Sequence, residues 1–289
     1  EFRRVLFRSD VTIKESVEID GNFKIENADN ISFEDDVSAG GFAHITASSK
    51  IEQEAGKTLE ATDGITLAAD DGVTLKGTVI ADKDGDGTGN LSIKKSDGTT
   101  NGDLTQVGGT ISAATITAAQ INQNGGKITA TEKITANVKQ AGCEIDTPEI
   151  EGNVEQTDAT DTITTGRITG TVTQSAGLIQ SKSEYNSGDL EIGDTITQTG
   201  GEIKDVNTLT LKAGGSLGGT TTAGSIVAKD GETKKALTAG GTVTATSIEA
   251  ATLSASGTIK ADTINAAVTQ TAGAVNKQSG ATLTFKDTV

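Results

Sequence analysis

The chain contains no tryptophan and no methionine, and only one tyrosine, one proline, one cysteine and one histidine in 289 residues. Aromatics amount to 2%, which excludes a large conventional core, since a compact globule of this length buries many bulky side chains. With Cys143 as the sole cysteine, no internal disulfide exists. It stands three residues after Gln140, where sibling segments place glycine, and so reads as a small turn residue. His44, equally alone, cannot belong to a histidine metal cluster. No apolar run approaches the ~20 residues of a membrane-spanning helix. Cations are scarce too: 24 basic against 40 acidic residues give a net charge of −16. That balance argues against nucleic acid and against an anionic membrane surface, and favours a solvated acidic face.

What is present is repetition. A glutamine follows a branched apolar residue by two positions at Gln106, Gln123, Gln140, Gln156, Gln174, Gln198 and Gln270. The steps are 17, 17, 16, 18, 24 and 72 residues, so the last gap holds about four of them, and Gln53 lies three steps before the first. A fixed period near 17 residues is too short for paired helices and marks a solenoid. Within one repeat, Ile128-Thr129-Ala130, Ile134-Thr135-Ala136 and Val138-Lys139-Gln140 each alternate as half-buried strands do. Three such trios per repeat, with Gly, Asn and Asp between them, predict a triangular coil. Thr, Val, Ile and Gly all disfavour helix.

The expected fold is therefore all-β: a single-stranded parallel β-helix, or β-solenoid, of about 17 residues per coil. The irregular apolar spacing and the chirality of parallel crossovers favour a right-handed coil. With the middle residue of each trio outward, the glutamines point inward about 4.8 Å apart. Their amides are then expected to form a ladder, as in stacked cross-β sheets. Residues 10–103 are read as irregular coils and 104–289 as regular ones, in one continuous solenoid. Residues 81–90, 182–188 and 214–224 are expected to leave it as loops.

Glu1 to Ser9 reads EFRRVLFRS and breaks with everything after it, carrying three of the four arginines and two of the six phenylalanines. All nine residues match an in-frame translation of a widely used sequencing adapter, so residues 1–9 are expected to be non-native. The chain is accordingly expected to be a fragment, beginning mid-protein and continuing beyond Phe285.

Three local patterns suggest chemistry. Asp82-Lys83-Asp84-Gly85-Asp86-Gly87 opens like a calcium loop, with Asp82, Asp84 and Asp86 facing one centre. The twelfth position holds Ile93 where a bidentate glutamate is required, so the simpler reading is an acidic glycine turn; no other cofactor is expected. T-x-T units such as Thr171-Val172-Thr173, Thr195-Ile196-Thr197 and Thr242-Val243-Thr244 suggest an ice-matching rank, yet Asn137-Val138-Lys139 and Asn153-Val154-Glu155 break it. Polysaccharide cleavage, a remote alternative, would need cations and aromatic platforms, but beyond residue 9 only Arg167 and Tyr185 remain of their kinds. Asp35-Asp36 and Asp70-Asp71 lie in turn-like segments. An enzyme is not expected.

The Gly-Thr-Ala-rich coils at Gly241-Thr242-Val243-Thr244-Ala245-Thr246-Ser247-Ile248 and Leu253-Ser254-Ala255-Ser256-Gly257-Thr258-Ile259 resemble bacterial surface β-solenoids. The nearest groups are autotransporter passenger domains and filamentous-haemagglutinin-like adhesins. The resemblance, compositional over most of residues 10–289, implies a secreted or cell-surface structural and adhesive rod whose partner is a surface ligand or polysaccharide. The self-polymerising bactofilins, also short-coiled solenoids, are the alternative.

Overall fold

The computed structural model describes residues 9–278 together with the backbone of 3–6 and 284–285. Most of the segment read as adapter-derived, and most of the stretch around Phe285, lie outside the described side chains. The chain is all-β, with one 3-10 turn at Asn186–Gly188 and no α-helix among the described residues. It divides into two compact units, residues 1–147 and 148–289. Each unit is a parallel β-solenoid.

In the first unit every coil contributes three strands, and each strand pairs in parallel with its counterpart one coil away. One column of inward residues runs Val17, Val37, Leu59, Val79, Ile111, Ile128, Ile145. A second runs Phe23, Ala43, Ile65, Leu91, Ile116, Ile134. The third runs Val11, Ile31, Ile51, Val73, Leu104, Ile121, Val138, in steps of 20, 20, 22, 31, 17 and 17 residues. The 17-residue period thus holds only for the later coils here, and coils average about 19 residues. Extra residues leave at the corners without disturbing register, because a step of any length still returns one apolar residue above another.

Alternation explains why these segments are strands. Lys127–Gln140 runs through all three faces, with Ile128, Ala130, Ile134, Ala136, Val138 and Gln140 inward and 5% exposed or less. Ile128 and Ile134 lie on Ile111 and Ile116 of the preceding coil, and Val138 on Ile121; burying such a side chain contributes about 1.5–3 kcal/mol. Parallel pairing saturates the backbone along the axis.

In the second unit the corresponding third column runs Val154, Val172, Ile196, Gly215, Leu237, Leu253, Val268. Residues 214–224 do not form the expected loop: Gly215–Leu217 and Thr220–Val227 are strands within the stack. The excursion lies further on, where Lys229–Asp230 pairs antiparallel with Thr233–Lys234. The glycines that misled the sequence reading make corners. A Cβ on Gly241 would fall on the carbonyl of Gly219, and one on Gly257 on that of Gly241. Coils can close up there only because successive glycines leave that space empty.

Candidate functional site

The inward glutamines were the first candidates. In the first unit Gln106, Gln123 and Gln140 stand in register, all fully buried. Gln140 Nε2 donates to Gln123 Oε1 at 3.1 Å. Gln123 Nε2 donates instead to the Glu144 carbonyl at 3.0 Å, and Gln106 Nε2 to that of Lys127 at 3.2 Å. Gln106 Oε1 is buried without a partner. Leu75 faces Gln106 on its other side, so Gln53 is separated from the run and turns to local backbone, donating to the Lys57 and Thr78 carbonyls at 2.9 Å.

The second unit carries the longer ladder. Gln174 Nε2 donates to Gln156 Oε1 at 2.8 Å, Gln198 Nε2 to Gln174 Oε1 at 2.9 Å, and Thr221 Oγ1 closes the chain on Gln198 Oε1 at 3.0 Å. The column then continues as Leu217, Ala239 and Ala255 before reaching Gln270. Gln270 is therefore not a rung: it is exposed and donates to the Gly273 carbonyl at 3.0 Å. Hydrophobic residues replace the amides between them because either kind fills the corner. Neutral carboxamides are neither nucleophiles nor proton carriers near neutral pH, so the column packs and orients the coils.

The acidic loop brings Asp82, Asp84 and Asp86 together, with one carboxylate oxygen from each within 4.8 Å of the others. Much of that oxygen is committed to the loop itself. Asp82 Oδ2 accepts from Gly87 N at 3.0 Å, and Asp86 Oδ1 from Thr88 N at 2.9 Å and Thr88 Oγ1 at 2.6 Å. These Thr88 bonds hold the Asp86 carboxyl below its ordinary range. Asp82 Oδ1 is buried and unpartnered. Ile93, where a calcium loop needs its bidentate ligand, is a core residue with 0% exposure. Lys83 leans away from the cluster onto Glu60, at 2.7 Å, and Ser38 Oγ, at 2.9 Å. Its ammonium lowers the Glu60 carboxyl.

Around Asp35-Asp36 and Asp70-Asp71 the carboxylates also hold structure. Asp36 Oδ1 accepts from Thr58 N at 2.7 Å and Asp35 pairs with Lys57 at 3.0 Å. Asp70 Oδ1 accepts from Ser96 N at 3.0 Å. Arg167 spans two coils, meeting Glu149 at 2.8 Å and Glu191 at 3.0 Å. Such pairs on an exposed face are worth at most about 1 kcal/mol each.

One group of side chains went unnoticed in the sequence: Phe42 and His44 with Asn22, Phe23 and Lys24, which line a pocket of the first unit. Phe42 is 54% exposed, and it and Val107 are the exposed large apolar residues among those described. The available signal was its place directly after Gly40-Gly41, at a corner and out of phase with the inward residues Ala43 and Ile45.

No helix among the described residues is long and apolar enough to cross a membrane. Comparison with protein-family models, with curated proteins and with solved structures finds no match to this chain.

Proposed function

We propose that the chain is a structural and adhesive part of a secreted or cell-surface protein, its solenoid units serving as stiff spacers that display their outer faces. The observation that carries this reading is the filled interior of the coils. Ile111, Ile128, Ile163, Ile203 and Ile259 are all at 0% exposure, and the amides beside them are hydrogen-bonded to neighbouring coils. Recognition is thereby left to outward side chains, which vary from coil to coil while the inward ones repeat. The Gly-Thr-Ala-rich coils that resemble surface β-solenoids support the same reading.

The test is display of the chain on a non-adhesive bacterium. Attachment to epithelial cells or glycan-coated surfaces well above that of the undecorated bacterium is expected. Attachment at background level, with the purified chain forming long filaments in negative stain, would replace adhesion by a self-polymerising scaffold.

A further inference from the structure

The pocket at Phe42 has a volume of about 190 Å³ and is lined by Asn22, Phe23, Lys24, Phe42 and His44. That is below the ~300–1,000 Å³ of sites that enclose drug-sized ligands, so it admits one ring rather than a polymer segment. Asn22 Oδ1 accepts from Phe42 N at 2.8 Å and fixes the start of the strand. The Phe42 ring extends along the corner towards Gly64, its Cε1 3.6 Å from where a Cβ on that residue would sit. Phe23 is 8% exposed and forms part of the lining.

The polar part of the lining carries little net charge. Lys24 and His44 stand in register on adjacent coils. Lys24 is paired with Glu26 at 2.7 Å. Burial, then the neighbouring Lys24 ammonium, lowers the proton affinity of His44, so its imidazole is neutral at physiological pH. His44 Nε2 lies 3.4 Å from Thr46 Oγ1. In a chain of net charge −16, an exposed aromatic beside charge-balanced hydrogen-bonding groups asks for an uncharged ligand with one apolar face and a polar rim. An acidic ligand would meet the repulsion of the whole molecule.

We propose that this pocket binds a single uncharged sugar ring of a surface glycan, with Phe42 stacking on its C–H face and His44 and Lys24 hydrogen-bonding its hydroxyls. The π-face of an aromatic ring is electron-rich and attracts the weakly positive C–H edge of a pyranose. This names a ligand for the adhesive reading and rests on it.

The test uses the labelled full chain on immobilised glycans ending in neutral hexoses or N-acetylhexosamines, beside acidic glycans ending in sialic or uronic acids. Neutral glycans are expected to be retained; Phe42→Ala should weaken them at least tenfold, while Phe42→Tyr keeps them and His44→Gln gives an intermediate loss. Phe42 is more than half exposed, so both Phe42 variants should keep the wild-type circular dichroism and melting temperature. Should Phe42→Ala bind as wild type does, or acidic glycans be preferred, the pocket is not the site. No glycan binding by a chain that still confers cell attachment also overturns the pocket alone, whereas loss of both overturns the adhesive reading with it. Binding of a tryptophan-rich peptide in place of glycans, abolished by Phe42→Ala, would reassign the pocket to a protein side chain.

Discussion

Gln174 Nε2 donates to Gln156 Oε1 at 2.8 Å across 18 positions of sequence, and both side chains are fully buried. Gln174 also accepts from Gln198, so it is the middle rung of a three-amide run. Removing it takes an acceptor from Gln198 and a donor from Gln156 at once, leaving Gln198 Nε2 its longer 3.5 Å bond to the Thr220 carbonyl. Each unmatched buried group costs about 1–3 kcal/mol, and the missing side-chain volume adds to that. Gln174→Ala should therefore destabilise the chain by about 2–4 kcal/mol in urea denaturation. Gln270→Ala, at an exposed position, should shift it by less than about 0.5 kcal/mol. Equal effects would show that the ladder contributes nothing specific.

Corner glycines separate into two kinds. Gly241 has the Gly219 carbonyl where its Cβ would be, whereas Gly85, in the acidic loop, has open space around it. Gly241→Ala should force two coils apart and cost more than about 3 kcal/mol, or yield insoluble protein. Gly85→Ala meets only the strain of its positive φ of 72°, about 1–2 kcal/mol. Thermal melts of both variants decide this, and a Gly241→Ala protein as stable as Gly85→Ala would show that the coil spacing is soft.

Stability should fall with acid in two stages. Burial and Lys24 lower the His44 pKa in the fold; the unfolded chain takes up that proton first, so stability declines once pH drops below about 6.5. Glu26 faces the same imidazole and opposes the shift without reversing it. Asp35 is lowered chiefly by its bond from Lys57, Asp86 by Thr88, Asp97 by Thr100 and Asp158 by Thr160. Their contribution is complete above about pH 5 and is lost as pH falls through the depressed folded values. Melting temperatures between pH 8 and pH 3 should show a shallow step, absent in His44→Gln, then a steeper one. A flat profile down to pH 4 in the wild type would contradict the first stage.

The acidic loop closes through the bond from Gly87 N to Asp82 and an Asx turn at Asp86, so we expect its fold to be independent of calcium. Limited proteolysis at residues 81–90 should give the same fragments in millimolar calcium and in chelator. Calcium-dependent protection, abolished by Asp84→Asn, would make the cluster a metal site after all.

The register of the strands was legible because β-branched residues at alternate positions leave little choice of face. Coil length was less so: between Val73 and Leu104 the chain gains residues 82–89 and 95–102 as excursions, and neither contains an apolar side chain that would mark it in the period. Gln270 shows the limit of counting. Its spacing agrees with a rung, yet Leu217, Ala239 and Ala255 occupy the intervening positions and leave it without an amide neighbour. Phe42 shows another, since a corner residue obeys no period.

Composition and period, by themselves, determined that short parallel strands would coil and stack, because few aromatics, abundant β-branched residues and regularly returning glycines admit little else. Only the folded chain decided which amides meet, where loops depart and which aromatic stays outside. Those outcomes depend on what lies one coil away, some 15 to 32 residues distant along the chain, and a hydrogen bond or pocket formed across that gap has no local signature.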